Sequence, residues 1–147
     1  MEQMVNEKVL EAWLRLSTTI SNERIVSKMP YNEALICGIL YYNEKSQRKE
    51  TITATELCTR VRMLKSQMNR TLNSMEEKGL IFRERSAEDK RQVYVTLNME
   101  NVEIYEQQHR EILEFVGTLM ERIGKDKAAE IVRLFHLIAD TADEVMK

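Results

Sequence analysis

Apolar residues recur at helical spacing along most of this chain and change to strict alternation only once. Val5, Val9, Trp13, Leu16 and Ile20 fall four, four, three and four apart, which lines them on one stripe and predicts a helix from Met4 to about Val26. Pro30 then stands where a helix start tolerates a missing N–H. Leu35, Ile36, Ile39 and Leu40 give the apolar face of a second helix over Tyr31–Glu44. Ser46–Thr51 is polar and reads as a loop. Thr53-Ala54-Thr55-Glu56 fits a capping box, in which a hydroxyl accepts from the amide three residues on, and predicts a short helix over Ala54–Val61. Arg62 and Met63 make a turn, and Met68, Leu72 and Met75 form the inward face of a helix over Lys65–Lys78. Gly79 is placed to take the left-handed conformation that stops it.

The period then falls to two. Leu80–Arg85 and Gln92–Leu97 are strand candidates, with Val93, Val95 and Leu97 on one face, and the charged stretch Ser86–Arg91 joins them as a hairpin tip. Asn98 is a cap for a helix over Met99–Ile123, Gly124 breaks it, and a last helix covers Asp126–Met146. One proline and four glycines in 147 residues leave little material for turns, so helices dominate. The expected fold is mainly α with a small antiparallel β wing: a winged helix-turn-helix at 31–97 between helical arms at 1–30 and 98–147.

Charge sharpens this picture. Residues 45–91 hold twelve Lys/Arg against seven Asp/Glu, a balance of +5, while 1–44 carry −2 and 92–147 carry −5. A basic middle between acidic ends suits a module that faces phosphates. In a helix-turn-helix the second helix lies in the major groove of duplex DNA and the first braces it. Burial of Met68, Leu72 and Met75 leaves Lys65, Ser66, Gln67, Asn69, Arg70 and Asn73 towards the outer surface. Arginine can fork onto guanine, and asparagine or glutamine onto adenine. Lys90 and Arg91 at the hairpin tip are placed for a minor groove or a phosphate.

Two stretches resemble the multiple-antibiotic-resistance regulator (MarR) family. They are Met75-Glu76-Glu77-Lys78-Gly79-Leu80-Ile81-Phe82-Arg83-Glu84-Arg85 and Asp89-Lys90-Arg91-Gln92-Val93-Tyr94-Val95-Thr96-Leu97. The family shows a Glu-Lys-Gly-Leu-Ile junction and then Asp-x-Arg-x-x-x-Val-x-Leu along the wing, and helix order and length agree over the whole chain. The resemblance implies a homodimer whose first and last two helices interlock and form the dimerisation region. It also implies that Asp89 orients Arg91 or a neighbouring arginine, that Arg91 carries the minor-groove contact, and that Arg70 is the basic position of the recognition helix. Two positions depart from the pattern. Ser66-Gln67 replaces the usual Ser-Thr, keeping Ser66 as a cap candidate, and no glycine follows Asn98.

The expected function is therefore a double-stranded DNA-binding transcriptional regulator, a ligand-responsive repressor on a pseudo-palindromic operator. The resemblance further implies a small aromatic or phenolic ligand, for which Trp13, Arg15, Tyr31 and His109 are the candidate lining residues. A helical protein-interaction module is the competing class, opposed by the concentration of positive charge where DNA would sit. No Ser/His/Asp set, phosphate loop or metal-ligand spacing emerges, so no enzyme, metal or cofactor is expected. Cys37 and Cys58 read as small buried hydrophobes rather than redox sensors. No apolar run has the length of a membrane span and the acidic start lacks a signal-peptide core, so a cytoplasmic location without membrane attachment is expected.

Overall fold

The computed structural model describes residues 1–22 and 29–147. Its elements are α1 (Glu2–Asn22), α2 (Tyr31–Lys45), α3 (Ala54–Val61), α4 (Lys65–Glu77), β1 (Ile81–Arg85), β2 (Val93–Leu97), a 3-10 turn (Met99–Asn101), α5 (Glu103–Ile123) and α6 (Lys125–Val145). The mainly α, winged-helix expectation holds. The expected end of α1 at Val26 falls outside the described residues.

Local chemistry accounts for most boundaries. Thr53 caps α3, its hydroxyl accepting from the Glu56 amide at 3.1 Å. Arg62 ends α3 in the left-handed region (φ 56°), which turns the chain sharply enough for α4 to begin three residues later. At the end of α4, Leu80 N–H donates to the Met75 carbonyl and Gly79 N–H to that of Glu76, while Gly79 sits at φ +74°. These are the paired bonds of a Schellman stop, and the buried Leu80 and Met75 supply its apolar contact.

The two strands pair antiparallel, Ile81 opposite Leu97 and Arg85 opposite Val93. A third segment touches this ribbon. Val95 N–H donates to the Ile52 carbonyl at 2.9 Å, and Thr53 bridges Tyr94.

Expectations at two helix starts need correction. Ser66 is not the cap of α4: Leu64 holds that position without a side-chain bond, and Ser66 lies inside the first turn. The long helix expected from Met99 is also divided. Asn98 does cap, accepting from the Glu100 amide at 3.2 Å, but what it caps is a 3-10 turn. The Asn98 and Asn101 side-chain amides both donate to the Gly79 carbonyl, at 2.8 and 3.1 Å. That staple fixes the exit from β2 against the end of α4 and delays α5 to Glu103.

The chain divides into two units, Met1–Gln108 and His109–Lys147. The core of the first gathers Ile36, Cys37 and Leu40 from α2, Leu57 from α3, Met68, Leu72 and Met75 from α4, and Ile81, Val95 and Leu97 from the sheet. Each is an apolar side chain withdrawn from water by neighbours on other elements, the dominant favourable term in folding. Leu35, expected on the apolar face of α2, is instead partly exposed. The second unit consists of most of α5 and all of α6, and α6 buries no residue of its own.

Candidate nucleic-acid interface

α4 presents its polar side to solvent because its apolar side is used in the core. Lys65, Ser66, Asn69, Arg70 and Asn73 are exposed and Gln67 is half-buried. Gln67 and Arg70, with Pro30, Asn32, Glu33, Thr71 and Ser74, line a concavity of about 380 Å³ between the start of α2 and the outer side of α4.

The wing tip is built on Ser86, a buried hydroxyl. Its Oγ accepts from the amides of Glu88 and Asp89 at 3.3 and 3.1 Å and from the Tyr94 hydroxyl at 3.4 Å. Ser86 N–H in turn donates to the Gln92 carbonyl. On this frame Asp89 Oδ1 accepts from both the backbone amide and Nε of Arg91, at 3.1 and 3.2 Å. The Arg91 side chain is 91% exposed, so the carboxylate orients it without covering it. Lys90 is exposed, and its carbonyl accepts from Arg85 Nη1 at 3.0 Å.

Sequence reasoning missed the residues that join these parts. Arg83 of β1 donates through Nε to Glu76 Oε2 at 2.7 Å and through Nη2 to Asn73 Oδ1 at 2.6 Å. The Arg83 guanidinium holds the Glu76 carboxyl below the usual carboxylate range. Asn73, expected among the outward contacts, thus also meets the wing strand. Arg83 and Arg85 share the parity of the buried Ile81 in β1, and two arginines on the inward rhythm of a strand are the sign that could have revealed these pairings.

Behind the interface, Glu33 at the start of α2 is 3% exposed and accepts from Lys78 Nζ at the end of α4, at 3.0 and 2.9 Å. Burial, and secondarily the Glu33 charge, pushes the Cys37 thiol up to about 12. Tyr41 donates to Glu106 Oε2 at 3.0 Å, tying α2 to the first turn of α5.

The candidate ligand residues belong to three helices. Trp13 and Arg15 stand exposed on α1, Tyr31 is exposed at the first position of α2, and His109 is half-buried on α5. Among the described residues no group of His, Cys, Asp and Glu is arranged to hold a metal ion. No helix among them is long and apolar enough to cross a membrane.

A sequence profile described as MarR family matches residues 29–92. No curated protein sequence matches the chain. Solved structures share its fold at low identity. The PcaV transcriptional regulator from Streptomyces coelicolor, in complex with its natural ligand, is 14% identical with a TM-score of 0.70, over 91% of each chain. NadR in complex with 4-hydroxyphenylacetate is 21% identical with a TM-score of 0.66, over 92% of each chain. A mutant of MepR from S. aureus, bound to an oligodeoxyribonucleotide, is 14% identical with a TM-score of 0.59, over 90% of this chain and 97% of that one.

Proposed function

We propose, on the match of residues 29–92 to the MarR family profile, that the chain is a sequence-specific, double-stranded DNA-binding transcriptional regulator that acts as a homodimer. The observation that carries the reading is the pairing of an exposed polar α4 surface with a wing that holds Arg91 extended on Asp89. We assign the base edges of the major groove to Lys65, Ser66, Gln67, Asn69 and Arg70, and the minor groove or its phosphates to Lys90 and Arg91. A MepR mutant of the same fold is bound to an oligodeoxyribonucleotide, which supports this partner class.

We take 31–97 as the DNA-binding module and 1–30 with 98–147 as the dimerisation region. α6 is 21 residues long and buries none of them, yet it carries Leu134, Phe135, Leu137 and Ile138 exposed. α1 likewise exposes Val5, Val9, Trp13 and Leu16. Apolar surface of this extent asks for a partner, and a second copy supplies it by two-fold symmetry.

The regulatory mode we propose is ligand-responsive repression. PcaV is seen with its natural ligand and NadR with 4-hydroxyphenylacetate; on the NadR ligand, a small aromatic or phenolic anion is the ligand class, with Trp13, Arg15, Tyr31 and His109 as candidate contacts. A ligand that binds better to a dimer of mismatched half-site spacing releases DNA by shifting the population.

The test is a titration of the full chain against mixed duplex DNA at two salt concentrations. Neutralising about 6–10 phosphates costs about 10³–10⁵ in affinity between 50 and 200 mM salt. Retention at low salt that collapses at high salt is the expected result, and no retention at 50 mM contradicts the proposal.

A further inference from the structure

We propose that Arg83 is a positioning residue that sets the wing's angle against the recognition helix, and that Asn73 and Glu76 serve as its anchor rather than as contacts to bases. The inference rests on the DNA-binding reading above and assigns a role within it. Asn73 and Glu76 stand three residues apart on α4, hence on one face of the helix. The Arg83 guanidinium fills the space beside both, with bonds of 2.6 Å to Asn73 Oδ1 and 2.7 Å to Glu76 Oε2.

A guanidinium is a planar fork, so two bonds through different nitrogens fix an orientation as well as a distance. An isolated ion pair at a surface contributes little, but here the Arg83 side chain is only 24% exposed and its second bond goes to an uncharged amide. Two residues along the strand, Arg85 reaches the Lys90 carbonyl, and Asp89 holds Arg91. Separate side-chain bonds at Arg83, Arg85 and Asp89, joined by the hairpin backbone between them, therefore lead from α4 to the arginine at the wing tip. With these bonds intact, α4 and Arg91 meet DNA as one rigid body, and the wing contact is made without a further ordering cost. With Arg83 removed, the hairpin keeps its own ladder but loses its registration to α4.

The experiment measures what Arg91 contributes with and without the anchor. The probe is a duplex enriched from a random pool by the full-length wild-type protein, read by fluorescence anisotropy. In the wild-type background Arg91→Ala should weaken binding about tenfold or more, as loss of a single good contact does. In an Arg83→Met background the same change should weaken it less than about threefold. Glu76→Gln, a mild change at a partly exposed position, should shrink the Arg91 effect in the same direction and covers the case in which Arg83→Met does not fold. Reversing the pair with Arg83→Glu and Glu76→Arg should restore it, which a loss of general stability would not do. Asn73→Ala should weaken the enriched duplex and base-changed duplexes by the same factor. An Arg91 effect of equal size in the wild-type, Arg83→Met and Glu76→Gln backgrounds overturns the positioning role while leaving DNA binding standing. A wild-type protein that enriches no duplex overturns the DNA reading, and this inference with it.

Discussion

Lys78 Nζ lies 2.9 and 3.0 Å from the two carboxylate oxygens of Glu33, joining the C-terminal cap of α4 to the first turn of α2. The two partners differ sharply in exposure, with side chains 49% and 4% accessible respectively. That difference sets an order of cost. Lys78→Met leaves a buried carboxylate without its donor, whereas Glu33→Gln leaves an ammonium that water can reach. Lys78→Met should therefore destabilise more, by roughly 1–3 kcal/mol after allowing for the half-exposed lysine. At fixed protein concentration this is a fall in Tm of about 2–4 °C per kcal/mol. Equal losses for the two variants would show that the burial of Glu33 carries no energetic weight.

Gly79 gives a second stability test. Its φ of +74° ends α4, while a Cβ there would meet Asn101 Nδ2 at an ordinary 3.5 Å. The cost of Gly79→Ala is thus conformational rather than steric, roughly 1–2 kcal/mol. Chemical denaturation should show a lower midpoint with an unchanged slope.

The thiols should behave differently from each other. Cys37 is buried among the core residues, whereas Cys58 is partly accessible and donates to the Met63 carbonyl at 3.2 Å. Native protein should take up alkylating reagent at Cys58 first and at Cys37 only on unfolding, as mass spectrometry of a time course would report. Burial raises both the Cys37 thiol and the Tyr105 phenol to about 12. Each is thus held neutral in the folded chain while the unfolded chain ionises near about 8.5 and 10. Their contribution is complete below those values and is lost as pH climbs towards 12, so stability should decline across that alkaline interval. Rapid labelling of Cys37 in folded protein at pH 8 would contradict this.

Much of the module was legible in the sequence because its signals are local. The spacing of Met68, Leu72 and Met75, the hydroxyl of Thr53 and the freedom of Gly79 each act within about a turn of helix, and all three inward residues of α4 are buried. The alternation of Val93, Val95 and Leu97 marked β2 for the same reason. What stayed hidden depends on pairs distant in sequence. Glu33 and Lys78 are 45 residues apart, and nothing near either one announces the other. Ile52 and Thr53 form too short a stretch for a period to be read, although they bridge to β2. The 3-10 turn after Asn98 follows from amide bonds back to Gly79, 19 and 22 residues earlier. At the candidate interface the outward positions of α4 followed from its inward ones, but the Arg83 fork required two elements to be seen together.

The exposed apolar positions of α6 make the dimer testable by one substitution. Ile138→Glu, at a residue 55% exposed in the single chain, costs little within one protomer but places a carboxylate in the proposed subunit contact. Sedimentation at micromolar concentration should give a dimer for the wild-type chain and a monomer for the variant. An unchanged dimer would move the interface away from this side of α6.

DNA recognition by a two-fold-symmetric dimer is measured most directly by selecting bound duplexes from a random pool with the full-length protein and sequencing them. The expected result is a two-fold-symmetric pair of half-sites whose centres lie about 34–36 Å apart, one turn of the double helix or a multiple of it. A pool that shows no enrichment, or one that converges on a single asymmetric site, would contradict DNA binding as a symmetric dimer.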